Sequence, residues 1–147
     1  MLGTLDSFEA PAPFAWMDRT TENPGNNTTE TWEIFNFTED AHPVHMHLVE
    51  FQVLNRQPLL TNNATGETLI PATPDPAIAA RDPQAWEQGS KDTVIAYPGE
   101  VTRVKARFDR PGVYVWHCHI LSHEDNDMMR PICVGNQADC PAVQLAH

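Results

Sequence analysis

GVYVWHCHI (112–120) is the stretch from which the fold can be read. Val113, Tyr114, Val115 and Trp116 are β-branched or aromatic and follow the turn signal Pro111-Gly112, so the stretch reads as a β-strand. Successive side chains on a strand point to opposite faces. Cys118 therefore faces one way, while His117 and His119 face the other. The run continues as HCHILSHEDNDMM (117–129), with His123 five residues and Met128 ten residues after Cys118.

Strand character recurs on both sides, and no window of about a dozen residues carries a 3.6-residue apolar period. TETWEIFNFT (29–38) reads as a strand, and VHMHLVEFQVLN (44–55) as another that begins after Pro43. TVIAYPGEVTRVKARF (93–108) reads as two strands joined at Pro98-Gly99. In the second of these, Thr102, Val104, Ala106 and Phe108 alternate with Val101, Arg103, Lys105 and Arg107, which predicts one buried and one wet face. RPICV (130–134) is the last expected strand. Residues 56–92 carry Pro58, Pro71, Pro74, Pro76 and Pro83, too many prolines for a central strand or a long helix, and are expected to run over the surface. The pattern predicts an all-β chain, a sandwich or Greek-key barrel, with residues 1–147 forming one domain.

The formal charge of −11 and the lack of any Lys/Arg cluster argue against nucleic acid and anionic membrane surfaces as partners, since both require a positive face. No run approaches about eighteen apolar residues. MLGTLDSFEAPAPF (1–14) has neither the basic n-region nor the apolar h-region of an export signal. Asn-x-Thr sequons at Asn26, Asn27, Asn36 and Asn63 mark loops. Three cysteines cannot all pair internally, and Cys118, between two histidines, is the odd one out. Cys133 and Cys140 flank VGNQAD at a spacing that admits a small-loop disulfide in an oxidising compartment; two unpaired thiols are the alternative.

Six of the seven histidines fall in HPVHMH (42–47) and HCHILSH (117–123), with only His147 outside. A lone histidine is ordinarily a satisfied core or surface residue, and HxxHxH by itself occurs in unrelated metal sites. The second window is far more specific. On the Cys118 face, a soft thiolate, two imidazoles and a weak thioether make a blue-copper ligand set, which His42, Cys118, His123 and Met128 supply. On the opposite face His117 and His119, together with His45 and His47, offer half of a second, nitrogen-only site. Zinc also takes Cys and His, but it leaves Met128 and the imidazoles behind the Cys strand without a use. Met46 and Met129 are rival thioethers, better read as core filling.

With these residues in place, the chain resembles the C-terminal cupredoxin domain of multicopper oxidases, most closely the branch of bacterial spore-coat laccases and bilirubin oxidases. TETWEIFNFT, HPVHMHLVEFQVLNR, KDTVIAYPGEVTR and GVYVWHCHILSHEDNDMMRPI carry the likeness in order. It implies a cupredoxin-like Greek-key β-sandwich that binds copper. It also implies that His42, Cys118, His123 and axial Met128 hold the type 1 copper, that His45 is a type 2 ligand, and that His47, His117 and His119 serve the type 3 pair. Glu124 matches an acidic residue that acts near the oxygen site in proton delivery; a solvated acid in the EDND loop is the other reading. Members of this family have three such domains, and HxH pairs from the N-terminal one complete the three-copper cluster. None of those pairs is present here, so the chain is expected to be part of a longer oxidase rather than a single-domain protein that borrows imidazoles from another subunit.

The activity implied is that of a laccase. A phenolic-type reductant gives one electron at a time near His123, and the electrons travel through Cys118 to His117 and His119, where oxygen is reduced to water. The implied partners are that reductant, oxygen, and the N-terminal cupredoxin domains of the parent oxidase or another subunit. The implied location of the parent is outside the cytoplasm or in a spore coat. A stand-alone blue-copper electron carrier is the alternative, but it has no use for four histidines behind the Cys strand. A copper nitrite reductase domain is expected to carry histidine on only one side of the cysteine.

Overall fold

Thr102, Val104, Ala106 and Phe108, the alternate residues of EVTRVKARF, are each 1% exposed or less and line the inner face of β8 (Glu100–Phe108). The computed structural model describes residues 1–6, 8–136 and 138–140. In it β8 lies between β3 (Thr28–Phe35) and β5 (Phe51–Pro58), and β5 also pairs with the short β6 (Ser90–Lys91). A second four-stranded sheet has the order β10 (Met129–Val134), β9 (Gly112–Cys118), β4 (His42–Met46), β7 (Thr93–Ala96). Every neighbouring pair is antiparallel.

The chain changes sheet between β3 and β4, β4 and β5, β6 and β7, β7 and β8, and β8 and β9, which gives the expected Greek-key sandwich. Val44, Met46, Trp116 and Ile132 from one sheet meet Phe51, Val53, Val104 and Phe108 from the other in a shared core. Trp32 stacks on Phe108 with ring centroids 5.7 Å apart and meets Trp116 edge-on at 5.9 Å. Burial of this apolar surface is the main force joining the sheets.

Several expectations require correction. VHMHLVEFQVLN is not one strand but β4 and β5, separated at Leu48, whose φ of 78° is rare for a bulky residue. Leu48 packs against the core, and the turn there carries the chain from one sheet to the other. Val101, expected on the wet face, is fully buried. Its end of β8 lies where β5 enters the proline-rich segment: Pro58 pairs with Glu100, and the Leu59 N–H donates to the Gly99 carbonyl at 2.8 Å.

The 56–92 segment is also less superficial than its prolines suggest. Arg56 to Pro58 belong to β5, and Leu59 and Ala72 are buried. Buried Arg56 grips buried Glu87 through both carboxylate oxygens. Burial pushes the Glu87 carboxyl up, but hydrogen bonds from Arg56 and the Gln84 N–H, with the nearby positive charge, hold it below its ordinary range. This pair pins the far end of the excursion to the sheet.

A hairpin of β1 (Leu2–Leu5) and β2 (Pro11–Phe14) has no counterpart in the sequence reading, because proline and glycine mask any alternation there. Fully buried Arg130 donates to the carbonyls of Ala15 and Arg19, tying the following segment to the second sheet. Cys133 and Cys140 form a disulfide, leaving Cys118 as the free cysteine. His147 lies outside the described residues.

Candidate metal centre

β4 and β9 are neighbours with Val44 opposite Cys118 and His45 opposite His117. Strand alternation then separates the motif into two faces. On one face, His42 Nδ1 lies 3.6 Å from Cys118 Sγ, His123 Nδ1 lies 3.8 Å from it, and the two nitrogens are 3.3 Å apart. Three ligands in a plane about 2.0 to 2.3 Å from a central ion stand about 3.5 to 3.7 Å apart, so the triangle has the size a metal needs. Cys118 is wholly buried, His42 is 6% exposed, and His123 is half-buried on the side nearest solvent.

Met128 stands at the end of the loop after β9. It is buried, its carbonyl accepts from the Cys118 N–H at 2.9 Å, and its own N–H donates to the His123 carbonyl at 3.2 Å. The rival thioethers are placed elsewhere: Met46 lies in the hydrophobic core, and Met129 sits opposite His117 in the β9–β10 register. Asp127 adopts a φ of 61° just before Met128, a left-handed step that ends the loop.

On the other face, His45, His47, His117 and His119 form a ring of imidazoles with adjacent centroids 5.0 to 5.7 Å apart. His47 Nε2 and His117 Nε2 approach to 3.3 Å. Nδ1 of His117 lies 3.2 Å from the Cys118 carbonyl and 3.3 Å from Glu124 Oε2, so it carries the proton and leaves Nε2 bare. Nδ1 of His45 lies 2.9 Å from the Asp92 carbonyl, which fixes the same tautomer. Bare nitrogens converging from hydrogen-bonded imidazoles are the hallmark of a metal site. His45, His47 and His117 alone bring three of them together. His47 and His119 are exposed, so this face is open to the outside.

A multicopper oxidase family model matches residues 4–138. The chain belongs to the multicopper oxidase family. It is 45% identical over 139 residues to a laccase of Bacillus stratosphericus and 44% identical over 141 residues to a laccase of Bacillus subtilis (strain 168). In each case the match covers 90% of this chain and 26% of the relative, so the chain spans about a quarter of those laccases. A multi-copper oxidase structure from Pediococcus acidilactici superimposes with a TM-score of 0.61 at 28% identity, covering 85% of this chain and 22% of that one. The family implies copper, and both clusters fit it: the buried His42, Cys118 and His123 suit a type 1 site, and the four-His face suits part of a trinuclear ligand set.

All the histidines expected to act are thus gathered into two groups, and Glu124 is in contact with the second. Sequence reasoning missed the supports. Asp92 and Thr93, which hold His45, carry no motif, and Thr38, 2.7 Å from His42 Nε2, is noticed only as part of a sequon.

Protonation in this multicopper oxidase domain follows from burial. Burial first, and then the neighbouring His123, keep the His42 imidazole below its ordinary pKa of 6.5, against the opposing pull of Asp40. His47 is lowered too, by burial and then by His45 and His117, with Glu124 opposing. Burial raises the Cys118 thiol above its ordinary value of 9.0. At a pH between about 7 and 8, the metal-free site therefore holds a proton on Cys118 and none on His42. Cupric loading in that window is expected to release about one proton per site, and affinity should climb about tenfold per pH unit. Calorimetry in buffers of differing ionisation enthalpy reads this number directly; a value near zero would mean that the thiolate is already free.

Proposed function

We propose that the chain is the electron-accepting, type 1 copper domain of a laccase-like oxidase, that residues 1–147 act as a single cupredoxin unit, and that the remaining cluster ligands come from the rest of the parent protein. The observation that carries this reading is the two-faced tripeptide: Cys118 is turned to His42 and His123, while His117 is turned to His45, His47 and His119. Copper bound at Cys118 supplies one-electron redox chemistry.

The side chains divide the work. His42, Cys118, His123 and Met128 act as the type 1 ligands. His123, the half-buried member, offers the edge against which a phenolic-type reductant docks. Cys118 lies next to His117 and His119 in the chain, and its carbonyl also accepts from His117 Nδ1, so two short routes leave the sulfur for the second face. There His45 acts as the type 2 ligand and His47, His117 and His119 as type 3 ligands. Glu124, partly exposed and 3.3 Å from His117, passes protons from solvent toward that face and orients His117. Support comes from the laccase relatives and from the fit of both clusters. A lone electron carrier is disfavoured because it leaves the four-His face idle.

Anaerobic mixing of the copper-loaded protein with a phenolic donor tests the role. The thiolate absorption should bleach by one electron per chain, and oxygen should restore it rapidly only when the remaining domains of the oxidase are present. Failure to bleach would remove the reductant role; rapid restoration in this domain alone would remove the need for outside ligands.

A further inference from the structure

The first half of the site rests on a polar loop that the functional reading leaves unused. Asn36-Phe37-Thr38 has the pattern of a glycosylation sequon, yet Asn36 is 4% exposed and every polar atom it has is engaged. Its amide donates to the carbonyls of Asp40 at 2.7 Å and Ala96 at 3.0 Å. Its side-chain oxygen accepts from the Thr38 N–H at 2.9 Å and lies 2.8 Å from Thr38 Oγ1. Its backbone N–H and carbonyl are tied to Glu100 and Gly99. With both amide hydrogens used inside the fold, Asn36 cannot serve as a glycan acceptor in the native state.

Thr38 converts this bracing into a constraint on His42. Thr38 Oγ1 is 2.7 Å from His42 Nε2, and it carries a single proton. If that proton pointed at His42, two oxygens, Thr38 Oγ1 and Asn36 Oδ1, would face each other at 2.8 Å with no hydrogen between them. The Asp40 carbonyl, 3.1 Å from Oγ1, can likewise only accept, so the hydroxyl donates to Asn36 or Asp40 and not to His42, and Nε2–H of His42 donates to the hydroxyl. Nδ1, aimed at Cys118 and His123, is left bare. Ala96, the other anchor of Asn36, is the strand partner of His42 itself, so the brace and the ligand share one frame.

We infer that Thr38, held by Asn36, is a positioning residue that locks His42 into the Nε2–H tautomer and thereby strengthens its donation to a cupric ion. The inference rests on the copper reading of His42, Cys118 and His123. A hydroxyl accepting from the far nitrogen raises the basicity of a ligand imidazole, and loss of such a partner typically weakens metal binding by about 10- to 100-fold. A weaker donor disfavours the cupric state more than the cuprous one, so its removal raises the reduction potential.

The test compares Thr38→Val with Thr38→Ser in the copper-loaded protein. Thr38 is exposed, and valine matches its shape, so the fold is not at risk. Thr38→Val should keep the thiolate absorption, bind cupric ion about tenfold more weakly, and shift the potential upward by about 59 mV if cuprous binding is unchanged. Thr38→Ser should stay near wild type. In metal-free protein, nitrogen NMR of the His42 ring should show one Nε2–H tautomer in wild type and Thr38→Ser, and a mixture in Thr38→Val. Unchanged potential, affinity and tautomer in Thr38→Val, or an equal change in Thr38→Ser, would overturn the assignment. Absence of thiolate absorption in the wild type would instead defeat the copper reading, and the metal-free comparison would still decide the role of Thr38.

Discussion

Cys118→Ser is expected to lose the intense thiolate-to-copper absorption completely, and the narrow copper hyperfine splitting with it. The sulfur of Cys118 is the one soft, covalent donor on its face of β9; the other donors are the imidazoles of His42 and His123 and the thioether assigned to Met128. A serine oxygen in this wholly buried position is a hard donor, and its hydroxyl does not ionise at neutral pH. The variant should fold, because the two side chains are nearly the same size and Cys118 has no disulfide partner. In the complete oxidase its turnover should fall to background, since the same sulfur begins the path to His117. Visible and paramagnetic spectra on equal copper loading check the result, and retention of the blue band would show that the colour has another source.

The paired replacement His117→Ala, His119→Ala should have the opposite pattern. These side chains leave the β9 end on the far side from Cys118, among the four-His group, where His117 also meets Glu124 and the Cys118 carbonyl. The blue absorption and reduction by a phenolic donor should persist, while oxygen uptake by the complete oxidase drops to background. Removing two of the four imidazoles on this face leaves too few donors for a shared cluster. An oxygen electrode read beside the absorption spectrum separates the two halves of the chemistry. Uptake that survives would leave the four histidines without a catalytic role.

What was legible in the sequence follows from which interactions are local. The opposed faces of His117 and Cys118 are a consequence of strand alternation within three residues, so HCH could be read directly. The choice of Met128 over Met129 comes from the family resemblance, and the β9–β10 register supports it by setting Met129 opposite His117. The long-range choices were not legible. Nothing in VHMHLVEFQVLN announces that the chain turns at Leu48 to change sheets, because the apolar pattern runs on unbroken. The LGTL and PAPF hairpin lacks alternation, and Val101 looks exposed because nothing in EVTRVKARF shows that β5 runs into the proline-rich segment beside its end of the strand. The brace from Asn36 through Thr38 to His42 depends on hydrogen bonds between a loop and the end of β7, and a sequon is all that the residues themselves display.

The central claim is that one copper sits between Cys118, His42 and His123. Copper X-ray absorption on the protein loaded with one equivalent tests it most directly. The account predicts a short sulfur scatterer in the first shell beside two imidazole nitrogens, with the sulfur lost in Cys118→Ser. A first shell of nitrogen and oxygen alone at one equivalent would contradict it, by placing the preferred copper among His45, His47, His117 and His119.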